Sequence, residues 1–254
     1  MHPIVAELGP FRIYSYGIMV AIAFIIGIYL AKKEALRKGL APEVIYDLVF
    51  FLAIGSLIGA RIYYLAFFNP RSFIEAPLSI FKIWEGGLAI HGAILGGLAA
   101  CILFARVRHL SFWTLSDIVA PPLMLGQAIG RIGCFLNGCC FGIPTGSFLG
   151  VRFPADSLSD IAYGGAKVHP AQIYESLADL SAFFILWAIR KRIRFGGGVF
   201  LLYLMMYSLI RLVLSGLRGD SLYIWGSNIK IAHVISIGAL LTASIIFIRK
   251  RNNA

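Results

Sequence analysis

The sequence predicts an all-α integral membrane protein of seven transmembrane helices, amino terminus outside and carboxy terminus in the cytoplasm, with small extracytoplasmic loop elements. Three observations carry that expectation. Of 254 residues, 59% are hydrophobic and 14% charged, at a mean hydropathy of +0.83, a mixture that does not stay dissolved as an ordinary globular domain. Apolar runs recur at the roughly 20 residues that cross a hydrocarbon core about 30 Å thick. The formal net charge of +11 falls in short clusters beside those runs, the pattern of cytoplasmic loops, which excludes nucleic acid as a partner.

The spans are expected at about Ile13 to Ala31, Val44 to Phe68, Gly86 to Ala105, Phe112 to Arg131, Gln172 to Ile189, Gly198 to Gly216 and Ile231 to Ile248. Most lack an amphipathic period, as suits helices that face lipid and each other. Lys32, Lys33, Arg37 and Lys38 follow the first span, and Arg106 and Arg108 the third. Arg190, Lys191, Arg192 and Arg194 follow the fifth, and Arg249, Lys250 and Arg251 the seventh. Every odd-numbered span thus exits into a basic cluster, which fixes the expected orientation. The first span is not a cleaved signal peptide, because its charges follow the apolar run.

The whole chain, 1–254, reads as one polytopic membrane domain with extracytoplasmic loops at about 69–85, 137–170 and 217–230. Ser72 to Trp84 mixes aromatic and aliphatic residues with Arg71, Glu75 and Lys82, and is expected to lie as a short helix in the outer interface. The longest loop is rich in turn formers, with a small β element expected around Leu149 to Phe153. Tyr14, Tyr163, Trp84 and Trp225 read as interfacial aromatics. His2, His109 and His233 near span ends receive no role.

Polar residues inside spans are expensive and mark function. Placed on this topology, Tyr16, Arg61, His91, Gln127, Arg131, Gln172, Tyr174, Glu175, Tyr207 and Arg211 come from six helices and share one depth, in the outer leaflet. His91 is placed about one and a half turns inside its span. The inner halves carry only Asp47 and Asp117. An ion pathway needs polar groups through the whole thickness, so the asymmetry points to a site that takes something from the outer leaflet. Arginines at headgroup depth suit a phosphate, because a guanidinium stays charged and offers a planar fork of donors. The inferred ligand is a phospholipid headgroup, with His91 as candidate base. Helix packing is the other reading of the small-residue spacings Gly55 to Gly59, Gly92 to Gly96 and Gly126 to Gly130, and snorkelling to headgroups the other reading of Arg61.

Gly130-Arg-Ile-Gly-Cys-Phe-Leu-Asn-Gly-Cys-Cys-Phe-Gly142 resembles the signature of the bacterial prolipoprotein diacylglyceryl transferases, Gly-Arg-x-Gly-Asn-Phe-x-Asn-x-Glu-x-x-Gly. Tyr16-Gly17, Gly87-Leu-Ala-Ile-His91-Gly92, His169-Pro-Ala-Gln172-Ile-Tyr174-Glu175 and Tyr207-Ser-Leu-Ile-Arg211 match in order along nearly the whole chain. The resemblance implies transfer of the diacylglyceryl group of phosphatidylglycerol to the lipobox cysteine thiol of secreted prolipoproteins, in the bacterial cytoplasmic (inner) membrane, without metal or other cofactor. It makes Arg131, Arg211 and His91 catalytic, and Tyr16, Asn137, Gly142 and Tyr207 a supporting shell. Arg61, Gln127, Tyr174 and Glu175 join them as substrate-binding candidates by depth.

Where the signature has asparagine and glutamate, this chain has Cys134 and Cys139, which leaves Glu175 as the nearest carboxylate by depth. For Cys134, Cys139 and Cys140 the expectation is packing or a Cys134–Cys139 disulfide, ahead of a nucleophile or a zinc site. The other functions left open are a divergent paralogue acting on another phospholipid or acceptor, and a non-enzymatic lipid-binding or transport protein. For a transporter only Pro121-Pro122 hints at a broken helix.

Overall fold

The computed structural model describes residues 4–8, 11–70, 81–82, 86–155, 157–223 and 227–253. The expected interfacial helix at 72–84, with Trp84, and also Trp225 and His2, lies outside them. In order come β1 (Ile4–Leu8), β2 (Phe11–Tyr14), α1 (Ser15–Arg37), α2 (Glu43–Phe68), α3 (Ile90–Val107) and α4 (Phe112–Asn137). They are followed by α5 (Leu158–Tyr163), α6 (Ala171–Ile189), α7 (Gly198–Leu214), a 3₁₀ turn at Ser215–Leu217 and α8 (Ile231–Asn252). Seven of these helices, all but the six-residue α5, are long and apolar enough to cross a membrane. Their large side chains are widely exposed, Ile25, Phe50 and Val213 among them, while Glu34, Asp117, Glu175 and Asp179 are buried. That inversion is what a lipid solvent selects.

Several boundaries differ from the sequence expectation. α3 begins at Ile90 rather than Gly86, because Gly86 and Gly87 take φ of 80° and 69°, a left-handed backbone that cannot start a helix. His91 is therefore the second residue of α3 and not one and a half turns inside it. α4 continues through Pro121 and Pro122 and beyond Arg131 to Asn137, so the first half of the signature is helical. The antiparallel hairpin β1–β2 was not expected, although its Val, Ile, Phe and Tyr around Gly-Pro are strand and turn formers. Around Val151 there is one bridge, to Val168, rather than a strand. α5 is a further short helix, capped where Asp160 N donates to Ser157 Oγ at 3.2 Å.

The chain forms two compact units, 31–118 and 1–30 with 119–254. In the first, α2 and α3 meet along the expected glycines: a methyl added at Gly59 would lie 2.8 Å from the Gly96 Cα, so only hydrogen fits. Asp117 and Asp47, the acidic residues expected in the inner half, pair with basic cluster residues, Asp117 with Lys38 at 3.2 Å and Asp47 with Arg108. In the second unit, Ala120, Met124, Ala182, Phe183, Leu186, Val199 and Tyr203 knit α4, α6 and α7 into one core. Phe141, Phe153 and Val168, with Phe135 and Tyr163 against them, give the long loop a small core of its own.

Candidate active site

The larger unit builds its polar centre on one carboxylate. α6 starts at Ala171, and Glu175 in its second turn is 2% exposed. Arg131 Nε of α4 lies 2.6 Å from Glu175 Oε2, while Arg211 Nη1 of α7 and Arg218 Nη1 lie 3.0 and 3.4 Å from Oε1. The Glu175 carboxylate thus faces three guanidiniums, one of which, Arg218, also pairs with Asp220. The surplus of positive charge is what a phosphate would neutralise.

Arg218 is placed by backbone. It follows the 3₁₀ turn that ends α7 and forms an isolated antiparallel bridge with Gly142. Around that bridge Ile143 N donates to Leu217 O at 2.9 Å, and Gly219 N to Phe141 O at 3.0 Å. Lys230 Nζ donates to Ser215 O at 2.6 Å, the carbonyl that also accepts from Arg218 N at 3.3 Å. Gly142 is glycine for space: a methyl there would lie 2.5 Å from His169 O and 3.0 Å from Leu217 O. Asp220 accepts from Arg218 Nε at 2.8 Å and Nη2 at 2.7 Å. Burial works against the Arg218 charge, but Asp220 and Glu175 outweigh it and raise the guanidinium above its ordinary range.

Around the arginines the remaining polar groups are ordered by short contacts. Gln172, fully buried, donates to Cys139 O at 2.7 Å, and Ser176 to Ala128 O at 2.8 Å. Gln127 Nε2 donates to Tyr203 Oη at 3.1 Å, and Tyr203 stacks on Tyr207 with centroids 6.1 Å apart. Tyr174 Oη and His169 Nδ1 are 3.3 Å apart. Among the described residues, Gln127 Oε1, Gln172 Oε1 and Asp179 Oδ1 are buried without a hydrogen-bond partner. Buried acceptors in that state call for a water or a ligand donor.

The signature turn closes the rim. Gly133 sits against α1, where a methyl would meet Tyr16 Cδ2 and Met19 Cβ at 3.1 Å; Tyr16 itself is 44% exposed. The chain reverses at Gly138, φ 77°, and Asn137 and the thiols follow one another there. Cys134, Cys139 and Cys140 are free, and their sulfurs lie within 4.8 Å of one another. Hydrogen bonds from Cys134 and Cys140, with a smaller one from Asn137, hold the Cys139 thiol below its ordinary range against its own burial.

Residues 3–249 match the family described as prolipoprotein diacylglyceryl transferase. The chain belongs to that family. Similar relatives bear the name phosphatidylglycerol–prolipoprotein diacylglyceryl transferase. That of Oceanobacillus iheyensis is 44% identical over 247 residues, covering 95% of this chain and 85% of the relative. That of Nostoc sp. is 39% identical over 259 residues, 98% and 90% of the two chains. The Staphylococcus aureus protein is 37% identical over 251 residues, 98% and 89%.

Within this transferase fold, the structure brings together Arg131, Glu175 and Arg211 of the sequence candidates, and places Gln127, Tyr207, Tyr174, Asn137, Gly142 and Tyr16 in the same unit. Arg61 and His91 belong to the other unit. There Arg61, 4% exposed, donates to Gly86 O at 2.5 Å and Gly87 O at 3.4 Å, and His91 lies beside Tyr63 with ring centroids 6.0 Å apart. Sequence reasoning passed over Arg218, Asp220, Asp179 and Tyr203. Arg218 left a signal, a basic residue in a Gly-Leu-Arg-Gly-Asp turn at a span end. Asp179 left another, a carboxylate four residues after Glu175 and so on the same helix face.

Proposed function

We propose that this chain transfers the diacylglyceryl group of phosphatidylglycerol to the lipobox cysteine of prolipoproteins, the first step of bacterial lipoprotein maturation, in the cytoplasmic membrane. The observation that carries the reading is the convergence of Arg131, Arg211 and Arg218 on the buried Glu175, in a chain that matches this family from end to end. Glu175 holds the guanidiniums in place before substrate arrives, and the lipid phosphate takes up the charge that Glu175 and Asp220 leave uncompensated.

In the reaction the lipobox sulfur attacks the glyceryl carbon that bears the phosphate ester. A C–S bond forms, the C–O bond to phosphate breaks, and glycerol phosphate leaves with the electron pair. The thiol proton goes to a base, for which His91 is the candidate because imidazole is the side chain most often used for general-base work. Charge grows on the departing phosphate as the bond breaks. Donors already aimed at it lower the barrier without reorganising, usually the largest catalytic contribution.

The test is turnover of the purified protein with phosphatidylglycerol vesicles and a lipobox peptide. Arg131→Ala and Arg211→Ala are each expected to lower kcat/KM by about 10²-fold or more, the scale of losing one preorganised donor. Full turnover in both removes the phosphate-clamp assignment. His91→Ala is expected to cost about 10²-fold, the lower range for a general base, and unchanged activity removes that role. Complementation of a strain depleted of its own transferase separates this reading from a paralogue with another acceptor.

A further inference from the structure

Among the described residues, Cys134, Cys139 and Cys140 are the one group of three metal-ligating side chains whose donor atoms converge, all within 4.8 Å of one another. The proposed transfer reaction uses none of them. Three sulfurs bound to one ion by bonds of about 2.3 Å in a trigonal arrangement stand about 4.0 Å apart, inside that limit. Their backbone is fixed from both sides. Cys139 N donates to Cys134 O at 3.1 Å, continuing the end of α4, and the buried Gln172 donates to Cys139 O at 2.7 Å. Gly138 turns the chain with φ 77°, and Cys140 takes φ 61°, a left-handed backbone that a residue with a side chain seldom adopts. Two residues on, Gly142 N is bonded to His169 O at 3.0 Å.

We propose that Cys134, Cys139 and Cys140 form a three-thiolate binding site for a soft d¹⁰ metal ion, with Cu(I) the best fit. Thiolates select such ions, and three sulfurs without a fourth His, Cys or carboxylate among the described residues suit Cu(I) better than Zn(II), which takes four ligands. As the ion binds, each thiol releases its proton to solvent, and no electron is transferred. Three thiolates around a monovalent ion leave a net charge of −2. Arg131 and Arg218, which interact electrostatically with Cys140, offset that charge.

The test is an anaerobic titration of the reduced full-length chain in detergent with Cu(I), against a chromophoric Cu(I) chelator, followed by X-ray absorption of the loaded protein. One Cu(I) per chain with three sulfur neighbours is expected. Cys139→Ser and Cys140→Ser should each weaken binding at least tenfold, whereas Cys101→Ser, on the distant-in-sequence α3, leaves it intact. Failure to compete with the chelator, a copper with only two sulfur neighbours, or undiminished binding in Cys140→Ser overturns the proposal. The absorption measurement on the unaltered chain decides the matter even where a serine variant does not fold.

Discussion

Glu175 is the residue on which the charge balance turns, because its two oxygens are divided among three arginines and it is almost wholly buried. Removing its charge leaves Arg131 and Arg211 without this carboxylate and only Arg218 still paired, with Asp220, whereas removing Arg211 leaves two arginines still on Glu175. Glu175→Gln is therefore expected to destabilise the detergent-solubilised protein by about 3–5 kcal/mol, the cost of breaking a buried pair, and by more than Arg211→Ala. Thermal unfolding of the two variants checks the order; a more stable Glu175→Gln refutes it. At this scale Arg131, Arg211 and Glu175 were legible in the sequence because a charge inside an apolar run has few reasons to be there. Arg218 was only faintly marked, by its turn at a span end, where a basic residue reads as ordinary loop charge. Its importance comes from a bridge to Gly142, 76 residues away in the chain, and no local pattern encodes such a pairing.

The loop from Gly138 to Pro170 works as an element by holding its own core and fastening the end of α7. Gly142→Ala puts a methyl 2.5 Å from His169 O, so the loop must shift at the point where Arg218 is anchored. A cost of about 1–3 kcal/mol is expected from that overpacking, with a fall in kcat/KM larger than the stability loss explains. Equal turnover per folded molecule would detach the loop from the site. In the smaller unit, Gly96→Leu would drive a side chain into α2, whose Gly59 Cα stands 2.9 Å from the position of its first carbon. Loss of folded protein from detergent extracts is expected, and normal yield would mean that α2 and α3 can separate. Spans were legible as elements because length and apolarity suffice. Their ends were not: the start of α3 depends on the φ of Gly86 and Gly87, and the extension of α4 through two prolines depends on packing that propensity does not contain.

At the scale of the whole molecule, the orientation expected from the basic clusters is tested directly. In a chain whose four cysteines are replaced by serine, Phe148→Cys, at a residue 91% exposed in the long loop, is expected to react with an impermeant maleimide in intact spheroplasts. Arg194→Cys, after α6, should react only once the membrane is opened. The reverse pattern would invert the topology. The polar centre also has a consequence for biogenesis. α6 carries Gln172, Glu175, Ser176 and Asp179 on its buried side and is the least apolar of the seven spans. An aspartate at mid-span costs about 2.5–3.5 kcal/mol on insertion scales, so Asp179, with Glu175 one turn nearer the helix start, leaves this helix a poor independent passenger through the translocon. It becomes comfortable in lipid only when Arg131 and, later in synthesis, Arg211 and Arg218 are beside it. The centre that arms the enzyme would thus also set the order in which its helices leave the insertion machinery, with α6 retained until α7 has emerged.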